Sequence, residues 1–277
     1  MMPKVHAIRT GVVQVRRAQM ERRSNGLARV TDMLLDPEWT AWLPVYAWVI
    51  EHDEGLILVD TGETSRVHER GYHPEWHPFY QTAVRFSVHP DEEIGVQLRA
   101  MGISPRDVRQ IVLTHLHTDH AGGLAHLTGG KFWVSEGEWK KAGGFGGKLR
   151  GYLPHRWPRW WHPEYIRFED RPLGPFPHSM AITKRGDVHI VPTPGHTVDH
   201  VSVVVDGAPA LMLAGDASYN QGLLLARKLD GVSPDGPLAR LTMDRILSLA
   251  RERHLVYLPS HDPDAERRLE LMSTLVE

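Results

Sequence analysis

Residues 114–123 read Thr-His-Leu-His-Thr-Asp-His-Ala-Gly-Gly, which places His115, His117, Asp119 and His120 within six positions. Imidazole nitrogens and carboxylate oxygens are the ligands that borderline divalent cations such as zinc accept. The chain has no cysteine, which excludes disulfides and thiolate sites, so a metal here would rest on His and carboxylate. A His-rich surface loop could give the same density, but the apolar residues 111–113 before it read as a buried strand. A strand that ends in His-x-His turns both imidazoles to one side, because side chains alternate. Asp119 and His120 follow where Ala121-Gly122-Gly123 permits a tight turn. Two His on one side and an Asp-His pair just beyond could serve two adjacent metals.

A metal needs more ligands than this loop supplies, and three other apolar runs end in one apiece. His196 closes the Pro-Thr-Pro-Gly-His stretch after residues 188–191, Asp216 follows 210–214, and His261 follows 255–258. The elements that must position them are short and β-branched. Strands are expected over 45–50, 56–59, 111–114, 132–135, 188–191, 201–205, 210–214 and 255–258, with a hairpin turn at 52–55. Helical spacing predicts helices over 92–101, 238–253 and 264–276, and a weaker one over 121–127. The pattern is mixed α/β.

Two segments fit neither period. Residues 17–44 are polar and irregular, with Met20, Trp39 and Trp42 embedded. Residues 143–178 hold many Gly and Pro together with Phe145, Tyr152, Trp157, Trp160, Trp161 and Tyr165. So many rings argue against a disordered linker. They fit a lid or substrate wall, and equally a satellite core or a subunit interface.

At 277 residues, 41% hydrophobic and 24% charged, the composition is that of a globular protein. A formal net charge of -2 offers no global basic field for nucleic acid. The start of the chain has no apolar core suited to a signal peptide, and no run of about 18 apolar residues occurs. The expectation is a cytoplasmic protein with no membrane partner.

The blocks His115–His120, Thr193–His196, Gly215-Asp216 and Ser260–Asp262, with Val59–Gly62, resemble the metallo-β-lactamase superfamily. The resemblance runs over about residues 45–262. It implies an αββα sandwich, here one domain over 1–277, with a dinuclear metal site at the edge of two packed sheets. It assigns His115, His117 and His196 to the first metal, and Asp119, His120 and His261 to the second, with Asp216 bridging. Asp60 would orient a ligand imidazole. His200 would do the same or be an ordinary buried His. Zinc is the expected metal, with iron, cobalt or manganese open on the same ligands.

Two metals sharing a water hold hydroxide at neutral pH, which argues for hydrolysis of a lactone, lactam, ester, thioester or phosphodiester. Flavodiiron chemistry wants an acidic residue at His117 and a flavodoxin-like domain, both absent. The β-lactamases of this fold generally lack the bridging Asp. Its nucleases usually bring a large extra domain or a basic exosite, and its glyoxalase II enzymes bring basic glutathione contacts. Gly215-Asp216-Ala217-Ser218-Tyr219 resembles the N-acyl-homoserine lactonases, which place a Tyr three residues after the bridging Asp. In that reading the bridging hydroxide attacks the lactone carbonyl. Tyr219 stabilises the oxyanion, or else packs beside the site without chemistry. Asp119 returns a proton to the leaving alkoxide. Met20, Trp42 and the rings near Trp157 would meet the acyl tail. Alternatives are a different lactone, an ester, a thioester or a phosphodiester as substrate, or an inactive metal-binding scaffold. The full ligand set disfavours the last. A homodimer is left open by the aromatic segment.

Overall fold

A computed structural model describes residues 3–275. The first sheet contains β1 (Lys4–Val15), β2 (Leu43–Glu51), β3 (Leu56–Val59), β4 (Val84–Ser87), β5 (Val108–Val112), β6 (Lys131–Val134) and β7 (Glu164–Tyr165). The second contains β8 (Met180–Ala181), β9 (Val188–Pro192), β10 (Val201–Val205), β11 (Ala210–Gly215) and β12 (Leu255–Pro259). Their orders are β4-β1-β2-β3-β5-β6-β7 and β12-β11-β10-β9-β8. Both are mixed. β3, β5, β6 and β7 run parallel, as do β11 and β12, and the remaining pairs are antiparallel.

The alternation of side chains along a strand explains the layering. Trp48, Ile50, Ile57, Val59 and Val112 from the first sheet meet Ile190, Val203, Leu213 and Leu258 from the second in one inner core. Their neighbours Ala47, Val49, Leu58 and Ile111 turn outward against the helix Ile94–Ala100. On the other side Val204, Met212, Ala214 and Tyr257 turn outward against Gly236–Glu252. The result is helix, sheet, sheet, helix, with strands apolar on both faces. Asp235 caps the long helix, accepting from Leu238 N at 3.0 Å, and Pro237 lies in its first turn.

All the expected strands and the turn at 52–55 are found, the turn closed by Gly55 N to His52 O at 2.9 Å. Several expectations need correction. Residues 4–15 form the longest strand, although their basic residues hide the alternation. Residues 17–44 are not irregular, because Arg17–Met20 and Gly26–Leu35 are helical. Residues 143–178 are ordered, as their many rings suggested, but are not all loop, because Gly144–Leu149 is helical. The weak helix over 121–127 becomes a helical turn at Thr118–Ala121 and a tighter one at Gly122–His126. The last helix is Ala265–Leu271, ended by a left-handed Met272. Val276 of the expected span lies outside the described residues.

Candidate metal centre

The inner strands that carry candidate ligands release their chains at the same edge of the sandwich. His115 and His117 follow β5, His196 follows β9, Asp216 follows β11 and His261 follows β12. Hydrogen bonds between the sheets fix that edge, from Val201 N to Thr114 O and from Tyr46 N to Ser260 O, each 3.0 Å. The turn into Asp216 needs Gly215. Its φ is +55°, and a Cβ there would lie 2.7 Å from His200 Nε2 and 2.8 Å from Thr114.

The seven side chains converge. His115, His117 and His196 form one group, His115, His120 and Asp216 a second, and Asp119, His120 and His261 a third. Within each group the ligand atoms lie within 4.8 Å of one another. His117 Nδ1 sits 2.9 Å from His115 Nε2 and 3.1 Å from His196 Nε2. The Asp216 carboxylate stands between the groups. One oxygen is 3.3 Å from His120 Nε2, and the other is 3.4 Å from both His196 Nε2 and His261 Nε2. Asp119 reaches His261 Nε2 at 3.5 Å.

The donor set suits divalent cations. His120 Nε2 and Asp216 Oδ1 are buried without a hydrogen-bond partner, and a bare buried pair of that kind is costly unless something satisfies it. Burial holds the His117 imidazole down at about 3 and that of His115 well below its usual value, so both are neutral ligands. Burial alone would raise the Asp216 carboxyl. The imidazoles of His261, His120 and His196 outweigh it and keep the group an anion.

Outer partners fix the rings. Asp60 Oδ2 takes His120 Nδ1 at 2.8 Å, which leaves Nε2 facing the cluster. Asp60 itself accepts from Thr114 N at 2.8 Å and sits at φ 61°. His261 Nδ1 donates to Pro44 O at 2.9 Å. His200 contacts Thr193 Oγ1 through Nδ1 at 2.9 Å and accepts from Asp216 N through Nε2 at 3.0 Å. It therefore holds the Asp216 backbone. Asp230, which sequence reasoning missed, lies 3.6 Å from His196 Nδ1 and is tied to Ser233. A single Asp in an irregular loop carries no spacing signal.

Tyr219 is buried, its ring stacked on His261 at 5.5 Å between centroids. Gln19 Nε2 donates to its hydroxyl at 3.0 Å, another contact the sequence did not reveal. Burial and the Asp216 charge keep this phenol protonated.

The three expected tail contacts divide. Met20 packs in the cluster that includes Tyr219, Tyr80 and Leu43. Trp42 is half-exposed and, among the described residues, makes no ring contact with the site. Trp157 stacks on Trp139 at 5.4 Å and meets Trp161 edge-on at 5.0 Å. The rings at 157 and 161 are therefore chiefly part of the outer core of the first sheet. One edge of Trp157 lines a cavity of about 180 Å³ beside Thr118, Arg66 and Tyr72.

A four-layer αββα sandwich with this His/Asp cluster at its sheet edge defines a metal-dependent hydrolase. Residues 40–261 match the metallo-beta-lactamase superfamily, and the chain belongs to it. A probable metallo-hydrolase of Mycobacterium bovis is 32% identical over 242 residues, covering 78% of this chain and 74% of its own. An N-acyl homoserine lactonase of Bacillus thuringiensis is 27% identical over 238 residues, covering 81% and 84%. Among solved structures, an N-acyl homoserine lactone hydrolase has its product N-hexanoyl-L-homoserine bound at the catalytic metal centre. It superposes with a TM-score of 0.74 at 21% identity, covering 96% of each chain. A dizinc quorum-quenching lactonase matches with a TM-score of 0.62 at 14% identity, covering 94% and 88%.

Proposed function

We propose that the protein opens the ring of N-acyl-homoserine lactones, a quorum-quenching hydrolysis. The observation that carries this reading is Tyr219, whose buried ring stacks on His261 at 5.5 Å while its hydroxyl accepts from Gln19. His115, His117 and His196 would hold one divalent ion and Asp119, His120 and His261 the other, with Asp216 between the two groups and zinc the expected metal. When bound, such a pair lowers the pKa of water to supply hydroxide at neutral pH and polarises a carbonyl oxygen.

The chain's own residues do the rest. Asp60 and the Pro44 carbonyl orient His120 and His261 through their Nδ1 atoms. Tyr219 donates its proton to the substrate carbonyl oxygen, and this bond strengthens as negative charge develops there. Asp119 is the least enclosed of the ligand carboxylates. It would take the proton that the attacking water gives up as the new C–O bond forms, and pass it to the ring oxygen as that oxygen leaves. Water is added across the ester bond, and an acid and an alcohol result. Met20 and its apolar neighbours around Tyr219 meet the acyl tail.

A second reading, hydrolysis of another lactone, ester, thioester or phosphodiester, draws on the 32% identity to a relative named only as a probable metallo-hydrolase. A panel of an N-acyl-homoserine lactone, a thioester and a phosphodiester separates the two, run on the wild type and on Tyr219→Phe. The lactonase reading expects the lactone to have the highest kcat/KM. The variant should lose about tenfold to a hundredfold in kcat on that substrate with little change in KM. A preference for thioester or phosphodiester that survives Tyr219→Phe would select the second reading.

A further inference from the structure

The aromatic segment after residue 142 does more than fill the outer core. Trp157, Trp161 and Tyr152 turn inward, but Phe145 and Leu149, four residues apart on the helix Gly144–Leu149, are 66% and 54% exposed. Residues at that spacing share one helix face. Phe145 stacks on Trp76 at 5.4 Å and 21°, and Trp76 is itself 51% exposed. Two elements distant in sequence thus present one apolar face to solvent.

On the helical side of that face the charge is one-sided, while beside Trp76 stands Glu75, paired with Arg70 at 3.7 Å. Residues 139–163 contain six Lys and Arg and no Asp or Glu, in a chain whose formal net charge is -2. Lys140 pairs with Glu136 and Lys141 with Asp199. Among the described residues Lys148, Arg150, Arg156 and Arg159 pair with no carboxylate. Arg150 and Arg156 hydrogen-bond only to backbone carbonyls.

We propose that the face of Trp76, Phe145 and Leu149, ringed by Lys148 and Arg150, docks on an anionic lipid bilayer. Exposed apolar side chains on a short helix beside unpaired cations are the two signals a reversible interfacial contact requires. A second copy of the chain fits less well. A two-fold interface on this face would set like charges opposite one another. A nucleic acid would use the cations but leave Leu149 with nothing to stack on. A membrane-spanning segment is a separate matter, and no helix among the described residues is long and apolar enough to cross a bilayer.

The place of this face matters for the catalytic site. Two residues beyond Leu149, a Cβ on Gly151 would lie 3.7 Å from the His117 ring, and the Gly151 carbonyl accepts from Tyr80 at 2.7 Å. The docking face therefore ends at the wall of the His/Asp cluster. An amphiphilic substrate dissolved in the bilayer would meet the site without crossing bulk water. The docking itself stands whether or not the substrate is a lactone.

The test is sedimentation of the metal-loaded full chain with vesicles. One set is made of equal parts phosphatidylglycerol and phosphatidylcholine, the other of phosphatidylcholine alone. The expected result is binding at least about tenfold tighter to the anionic vesicles, lost at high salt. The double variant Phe145→Ser, Leu149→Ser should bind about tenfold more weakly. It should keep its melting temperature and its rate on a water-soluble substrate. Leu271→Ser, at a residue 63% exposed on the last helix, should bind as the wild type does. Equal binding to both vesicle types, or none to either, would overturn the proposal. So would a dimer in solution that the double variant dissolves, or tight binding to a single-stranded oligonucleotide without binding to vesicles.

Discussion

Asp60 shows how much of a ligand's behaviour is set by the residue behind it. One carboxylate oxygen takes His120 Nδ1 at 2.8 Å while Thr114 occupies the other through its backbone N–H at 2.8 Å. The carboxylate cannot swing away, and His120 keeps Nε2 turned to Asp216. Asp60→Asn should lower metal affinity about tenfold to a hundredfold while leaving the fold intact. Competition with a chelator reads this directly, and an unchanged affinity would remove Asp60 from the positioning role. The residues legible in the sequence were those that share a spaced motif or close a strand. His115 to His120, His196, Asp216 and His261 did so, and the chain brings all of them together. Gln19 and Asp230 were not legible. Each reaches the site from a segment with no periodicity, Gln19 across 200 residues to Tyr219.

At the scale of elements, the strands of the inner core were readable because both of their faces are apolar. β1 was not, since Lys4, His6, Arg9 and Gln14 fall on both of its faces and a bulge after Arg9 breaks the alternation, and a mixed run reads as irregular until its partner is known. Residues 72–88 were equally silent, yet they build an aromatic support near the site. His73 stacks on Tyr80 at 4.2 Å, and its Nε2 is buried without a partner. Burial, with Arg156 nearby, pushes this imidazole down to about 4 from 6.5. Between those values the unfolded chain binds the proton and the folded chain does not. The stability held above about pH 6.5 is therefore lost as pH falls toward 4. His73→Phe should keep the stack and flatten that acid limb of melting temperature against pH. An acid limb as steep as the wild type's would show that His73 is not its source.

On the scale of the whole molecule, two sheets each contribute ligands to one edge, and neither sheet alone assembles the set. His115, His117 and His120 leave the first sheet, and His196, Asp216 and His261 leave the second. The inner core between the sheets is what fixes the spacing of the two halves. Metal bound across that seam should stabilise the sandwich by linkage, since the unfolded chain lacks the converged site. The sandwich was legible because four separate strand ends carried ligands and a fifth carried Asp60, blocks that together resemble a known superfamily. The surface around it was not, because whether a ring faces core or solvent depends on contacts no local pattern records. Trp161 is 2% exposed and its neighbour Trp160 is 46% exposed.

The most direct measurement is proton release on adding a long-chain N-acyl-homoserine lactone to the metal-loaded protein, with metal-stripped protein and Asp216→Asn as controls. Ring opening makes a carboxylic acid that ionises at neutral pH. Fast acidification by the loaded wild type, at least about a hundredfold slower in both controls, is the predicted result. No acid release from wild-type protein shown to hold two metals would contradict the lactonase account.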